Sequence, residues 1–243
     1  MKKLTSVIFI ITLSLLVFGF SSIIDLDLTE NPPENGFITL QTMTMEENAG
    51  HFAVNGWVYM VSEGDPLFEL SGSAVTEKSL TVEQINKLEE LVPLGPLVIE
   101  WDEFEKLSDT IENKEGFIFN LKEPDSPIAY LGVSFENLPD FDGDDSKPIS
   151  VAAFGTVYVV GDLGKWRSGS HYSRHSSGEE LTYALDKQAP HSERKIEGAE
   201  PLGLLIALNE NAEKILEDEK NYEKLENTIV DKRVKTVIAY IAY

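Results

Sequence analysis

Short runs of β-branched and aromatic residues, separated by Gly, Asn, Asp and Pro, constrain the fold of this chain more than any other sequence feature. Runs of this kind are typical of β-strands, and the strongest, VAAFGTVYVV, lies within residues 150–160. The other predicted strands are residues 37–43, 51–61, 67–76, 117–121, 128–135, 181–186 and 234–243. The last of these is apolar on both faces, which indicates a buried strand.

Two helical patterns interrupt these strands. Thr81 and Gln84 form a capping-box pair, and apolar residues then recur at helical spacing up to Pro93. Residues 209–227 carry an apolar stripe opposite Glu and Lys, which predicts a long helix. Residues 96–111 read as a strand that runs into a short helix. We therefore expect an α+β fold, a mainly antiparallel sheet with two or three helices.

The N-terminus has the pattern of a secretory signal peptide. Lys2 and Lys3 precede an apolar run, and Gly19 and Ser21 form a small-x-small cleavage site. The expected organisation is a signal peptide over residues 1–21, an extended acidic leader over 22–36 and one α+β domain over 37–243. The alternative is an uncleaved anchor reaching residue 24, which would be the only membrane contact. Either reading predicts a periplasmic, cell-surface or secreted protein.

The chain has no cysteine, so it forms neither a disulfide nor a thiolate site. Together with the short signal, this favours a bacterial protein. The 42 acidic and 20 basic residues give a formal net charge of -22, which disfavours binding to nucleic acid and favours basic proteins and cations. An acidic surface also keeps an exported protein soluble, which is the simpler explanation.

Residues 165–195 form a locally positive island, with six basic and four acidic residues. Arg167 and Arg174 are candidate binding residues, because guanidinium groups hold carboxylate or phosphate oxygens in bidentate fashion. Trp166 is a third candidate, as a stacking platform for a sugar or an anchor for a protein partner. The alternative is that the island docks on the acidic surface of the protein itself.

Three of the four histidines lie in this island. His171, His175 and Glu179 are spaced i, i+4 and i+8, which on a helix would align two imidazoles and a carboxylate, the ligands of a catalytic zinc site. Serine and glycine between them favour a loop instead. With His191 as a further imidazole, these four residues are the candidates for catalysis, as bases or as metal ligands.

The third candidate site is the acidic turn within LPDFDGDDSKPI, residues 138–149. Its carboxylates match the first positions of an EF-hand loop, but the glycine and final glutamate of that motif are missing. Calcium is the cofactor that such crowded carboxylates would take, and an ordinary solvated turn is the alternative. The candidate calcium ligands are Asp140, Asp142, Asp144 and Asp145.

No nucleotide-binding, zincin or nucleophile-elbow motif occurs in the sequence. The predicted function is therefore that of an exported acidic binding protein without catalysis, of the inhibitor or immunity type, with a basic protein as its partner. One alternative is a secreted or periplasmic hydrolase that uses the histidines of the island. A structural component of the envelope or cell surface is the other.

Overall fold

The computed structural model describes residues 50–61, 65–68, 75–76, 80–91, 93, 95–166, 168–185, 196, 198–208, 230–231, 236–237 and 239–242. Three predicted segments lie outside the described residues: the signal peptide with its acidic leader, the strand at 37–43 and the helix at 209–227. None of the described helices is long and apolar enough to cross a membrane.

The described residues form strands, two α-helices and one turn of 3-10 helix. The helices are α1, Val82–Glu89, and α2, Trp101–Leu107, and the 3-10 turn is Leu138–Asp140. The strands are β1 His51–Val54, β2 Trp57–Met60, β3 Val75–Thr76, β4 Gly95–Pro96, β5 Val98–Glu100, β6 Ile111–Lys114, β7 Phe117–Asn120, β8 Glu123–Ser134, β9 Ser150–Ala153, β10 Thr156–Val159, β11 Ser170–His171, β12 His175–Ser176, β13 Glu200–Leu208, β14 Val230–Asp231, β15 Thr236–Val237 and β16 Tyr240–Ala242.

The smaller of the two main sheets has the strand order β3-β1-β2-β4. Sequence reading predicts one strand over 51–61, but the chain reverses at Asn55 and Gly56, whose φ angles are 51° and 78°. Asn-Gly is the most common signal for a two-residue hairpin turn, because both residues tolerate positive φ. β1 and β2 are therefore the two arms of an antiparallel hairpin.

Helix α1 begins where the capping box predicts. The Thr81 hydroxyl accepts a hydrogen bond from the backbone N–H of Gln84, and the Gln84 side chain accepts one from the backbone N–H of Thr81. Its buried Leu88 packs with Phe52 and Phe68 of the small sheet region. The helix therefore covers the apolar side of the β1–β2 hairpin.

The larger sheet has the order β6-β7-β8-β13-β10-β9, with β5 and β16 as additional partners. Tyr130 of β8 pairs with Val98 of β5 and with Phe117 of β7, so these two strands lie on opposite edges of β8. Burial raises the pKa of the Tyr130 hydroxyl to about 12. Because β5 and β13 run parallel to β8 whereas β7 runs antiparallel, the sheet is mixed.

Strand β13 is the largest element that sequence reading missed. It carries Pro201 and Gly203, which weaken a strand pattern. The glycine is required here, because a Cβ at Gly203 would lie 2.2 Å from the carbonyl oxygen of Leu131. Close packing of β13 on β8 thus explains why a glycine stands at position 203 and why the sequence pattern for this strand is weak.

Two further predictions need correction. Residues 150–160 are a hairpin rather than one strand, since Phe154 and Gly155 have φ angles of 53° and 77° and join β9 to β10. Residues 181–186 were expected to form a strand, but the part that is described forms a helical turn, in which the N–H of Leu185 donates to the carbonyl of Leu181. With two helices, one mainly antiparallel sheet and one mixed sheet among the described residues, the fold is consistent with α+β or with a mainly β class.

Candidate functional site

The acidic turn begins on a well-buried base. Leu138 and Phe141 are 0% and 1% exposed, and the carbonyl of Phe141 accepts a hydrogen bond from the N–H of Ser150 at the start of β9. The chain between them and β9 then projects to the surface, and residues 142–146 are all exposed. The core thus fixes the position of a turn whose carboxylates face solvent.

Few of the described cations lie close to these carboxylates. Lys147 Nζ is 3.4 Å from Asp140 Oδ2 and also lies over the ring of Phe141. Asp142 Oδ1 accepts a hydrogen bond of 3.0 Å from the N–H of Asp144, which closes the turn locally. Two of the four predicted calcium ligands are therefore already engaged with the protein, Asp140 with a lysine and Asp142 with the backbone.

Helix α2 adds further carboxylates beside this turn. Glu105 accepts a short hydrogen bond from the Ser146 hydroxyl, and the rings of Trp101 and Phe141 meet edge to face at 5.4 Å. Asp102 is exposed and lies one helical turn before Glu105, on the same side of the helix. We call the resulting surface the acidic face and define it by Asp102, Glu105, Asp140, Asp142, Asp144 and Asp145.

Residues 169–178 of the locally positive island form a β-hairpin, not a helix. Strands β11 and β12 pair antiparallel, and His171 lies directly opposite His175. The turn between them is tight, because Tyr172 and Ser173 both have positive φ angles, 51° and 55°. We call residues 169–178 the histidine hairpin. The helical arrangement considered from the sequence is wrong, but the hairpin also places both imidazoles on one face.

Ring contacts and one ion pair hold the side chains of the histidine hairpin. The His171 ring lies 5.1 Å from the ring of the buried Trp166 and 4.7 Å from that of Tyr172. Lys165 Nζ is 5.0 Å from the centre of the Tyr172 ring, which is a cation–π contact. His175 Nδ1 is 3.4 Å from Glu179 Oε2. The structure therefore brings together Trp166, His171, His175 and Glu179.

The histidine hairpin and the acidic turn are neighbours. A Cβ at Gly178 would lie 2.4 Å from Pro139 Cα, and one at Gly169 would lie 3.7 Å from the Asp142 carbonyl oxygen. The N–H of Gly178 also donates to the carbonyl of Ser150. The two regions therefore meet through backbone contacts, and docking of the island's basic side chains on acidic groups stays a prediction.

The other predicted site residues are less well placed by the structure. Arg174 is exposed in the hairpin turn, whereas Arg167 and His191 lie outside the described residues. Among the residues that the structure describes, no group of three or more His, Asp or Glu side chains is arranged to hold a metal ion. A three-ligand zinc site is thus absent from this part of the chain.

Sequence reading missed the contribution of helix α2 to the acidic face. Acidic residues are common throughout this chain, so Asp102 and Glu105 do not stand out in the sequence. No local pattern links them to a turn that begins after residue 138. It also missed the role of Tyr172, which contacts both His171 and Lys165.

No protein-family model and no curated protein matches this chain. Two solved structures are similar to part of it: a cytochrome b5 domain protein of Hadesarchaea YNP_N21 and one of Methanococcoides burtonii. Each match has 31% sequence identity and a TM-score of 0.28 and covers 30% of this chain, and 96% and 95%, respectively, of the two archaeal chains. A likeness with this TM-score assigns neither a fold nor a function to the protein.

Proposed function

We propose that this protein is an exported, non-catalytic binding protein whose acidic face docks a basic protein partner. The observation that carries the proposal is the joining of helix α2 to the acidic turn through Glu105 and Ser146, residues 41 positions apart. Two separate segments thus contribute carboxylates to one surface. An inhibitor or an immunity-type protein for a basic toxin or enzyme has this chemistry.

Electrostatics support this proposal. Two of the described lysines, on or beside the elements that form the acidic face, are each paired with a carboxylate: Lys147 with Asp140 and Lys106 with Glu103, the latter at 3.6 Å. The formal net charge of the chain is -22, and loss of Lys2 and Lys3 with a cleaved signal peptide would make it -24. A surface of this kind speeds association with a cationic partner and weakens as salt is added.

The test compares two variants that remove the same amount of charge from different surfaces. The first neutralises the acidic face with Asp102→Asn, Glu105→Gln, Asp142→Asn and Asp144→Asn. The matched control neutralises four exposed carboxylates on other elements, Glu112, Glu115, Asp125 and Glu200. Binding to immobilised poly-L-lysine is measured at low and high salt, and we expect the first variant to lose at least about tenfold more affinity than the control.

Equal losses of affinity in the two variants would show that the net charge of the whole protein, and not one surface, attracts poly-L-lysine. That result would overturn the acidic face as a docking surface.

A second measurement addresses the partner itself. A photo-crosslinking residue at position 144 should give one dominant adduct with a basic protein in the native host, and the same residue at position 125 should not. The same purification reports export, because we expect the mature protein to begin after Ser21.

A second candidate is the hydrolase that uses the histidine hairpin. It is favoured by the contact between His175 and Glu179, because a carboxylate that orients an imidazole is the usual support of a general base. Hydrolysis of ester and phosphoester substrates, lost in His175→Gln and retained in Ser176→Ala, would support this function. Turnover that is unchanged in His175→Gln would exclude that residue as the base.

A further inference from the structure

The two described histidines of the island face each other across a hairpin. In an antiparallel pair, directly opposed residues have Cβ atoms about 4.5–5.5 Å apart and side chains on the same face. His171 and His175 occupy such opposed positions. These positions put both imidazoles on one side of the hairpin, where rotation of the two side chains would let one nitrogen of each bind a common ion at the roughly 2.0–2.1 Å of a zinc–imidazole bond.

The contact with Glu179 prepares His175 for this role. The carboxylate lies 3.4 Å from Nδ1, so it faces that nitrogen and leaves Nε2 as the ring atom available to an ion. Histidines that bind metals commonly donate their other N–H to a carboxylate in this way. Glu179 therefore acts as the positioning residue for an Nε2 ligand.

His171 is held by the buried Trp166 and by the turn of the hairpin. Its ring packs on Trp166, which is 6% exposed, and the N–H of Arg174 donates to the carbonyl of His171 across the turn. A hydrogen bond from the N–H of Ser177 to the carbonyl of Gly169 closes the base of the hairpin. Little backbone rearrangement is then needed to bring the two rings around an ion.

We propose that His171 and His175 bind a divalent transition-metal ion, with Glu179 holding the His175 ring. Two imidazoles fill two coordination positions, and water takes the others, so no third side chain is required. Imidazole favours Cu²⁺, Ni²⁺ and Zn²⁺ over Ca²⁺ and Mg²⁺, and Cu²⁺ should bind most tightly. The site lies on the histidine hairpin and does not depend on the proposed docking of a basic partner.

The experiment is a calorimetric titration of tag-free protein with Cu²⁺, Ni²⁺ and Zn²⁺, in excess Mg²⁺ to occupy the carboxylates of the acidic face. We expect one ion per chain, loss of binding in His171→Gln and in His175→Gln, and an affinity about tenfold weaker in Glu179→Gln. The matched control is Ser170→Ala with Ser176→Ala, the neighbouring opposed pair of the same hairpin, which should bind normally.

Thermal melts of each variant show whether it is folded, and the electron paramagnetic resonance spectrum of the Cu²⁺ complex should show coupling to two nitrogen nuclei. Wild-type affinity in both hairpin histidine variants would overturn the proposal. So would loss of binding in His191→Gln combined with normal binding in His171→Gln. Failure of the acidic-face test leaves these outcomes unchanged, since the two experiments measure different ligands on different residues.

Discussion

The acidic turn and the histidine hairpin lie side by side, yet they are organised in opposite ways. The turn concentrates charge: residues 142–146 are exposed, and the Asp142 carboxylate accepts a hydrogen bond from the backbone N–H of Asp144. The hairpin concentrates contacts, because His171 packs on Trp166 and His175 pairs with Glu179. The first arrangement suits a broad electrostatic surface, and the second suits a ligand held at defined atoms.

The difference shows that density of charged residues along the sequence is a poor guide to where side chains converge. The four aspartates lie within six residues, but they spread over an exposed turn. The hairpin has a lower density of ionisable groups, and its strand pairing brings them together. Pairing across a backbone ladder positions side chains, whereas repulsion between like charges separates them.

The largest effect on stability should come from truncating the buried aromatic residue under each region, Trp166 beside the histidine hairpin and Phe141 under the acidic turn. Trp166→Ala should lower the free energy of unfolding by about 3–5 kcal/mol, because a buried ring is replaced by a cavity. Phe141→Ala under the acidic turn should cost a similar amount. Denaturant unfolding measures both, and Trp166→Phe should recover much of the loss in the hairpin.

The two anchor variants should also separate the regions by their ligands. Trp166→Ala should weaken Ni²⁺ binding and spare the binding of poly-L-lysine, while Phe141→Ala should do the reverse. If either variant weakens the binding of Ni²⁺ and of poly-L-lysine equally, the turn and the hairpin form one cooperative unit rather than two.

The junction between the regions gives the next effect in size. Gly178→Ala should destabilise the protein by about 2–4 kcal/mol, since the new Cβ meets Pro139 at 2.4 Å and the backbone has a φ of 77°. Gly198→Ala is a matched control, because its φ is 93° but nothing lies within 4 Å of the added carbon. It should cost only about 1–2 kcal/mol, the backbone strain alone. Equal losses of stability at the two sites would mean that the hairpin moves away from Pro139 at no cost in free energy.

Local signals in the sequence were sufficient for some elements. The capping box at Thr81 and Gln84 correctly gives the start of α1, because both halves of that motif lie within one turn of chain. The two hairpins at Asn55 and Phe154 were each read as one strand, although each turn contains a glycine. In both hairpins the apolar residues continue on either side of the turn, so the apolar pattern is that of one long strand and gives no sign that the chain reverses direction.

Long-range packing explains what the sequence did not predict. Gly203 looks like a strand breaker, and only its approach to Leu131 shows why a central strand carries it. Likewise, nothing near Glu105 indicates its contact with Ser146, so the two carboxylates that helix α2 contributes to the acidic face were not predicted. The spacing of His171 and His175 was noticed, and the serine and glycine between them favoured a loop over a helix, but the strand pairing that sets the two residues opposite each other was not predicted.

Calcium should affect only the acidic turn, and modestly. If it binds the folded state alone, its stabilisation at ten times Kd is about 1.4 kcal/mol, a shift of a few degrees in the melting midpoint. Magnesium should do less, because it requires tighter octahedral geometry. Melts with each ion and with chelator test this, and Asp142→Asn with Asp144→Asn should abolish the shift. An identical midpoint in wild type under all conditions would remove calcium from consideration.

The smallest effect should come from the ion pair of the hairpin, and it sharpens the comparison most. His175 and Glu179 have side chains that are 32% and 44% exposed, so their attraction is screened by water and should contribute at most about 1 kcal/mol to folding. A double-mutant cycle with His175→Gln and Glu179→Gln measures it by denaturant unfolding. We expect a small coupling free energy between the two residues in unfolding. The same variants should lose much of their affinity for transition metals, because the main role of the carboxylate is to orient the imidazole ring rather than to stabilise the fold. A coupling above about 2 kcal/mol would instead make the pair a structural contact, and the hairpin would then resemble the rest of the scaffold rather than a site.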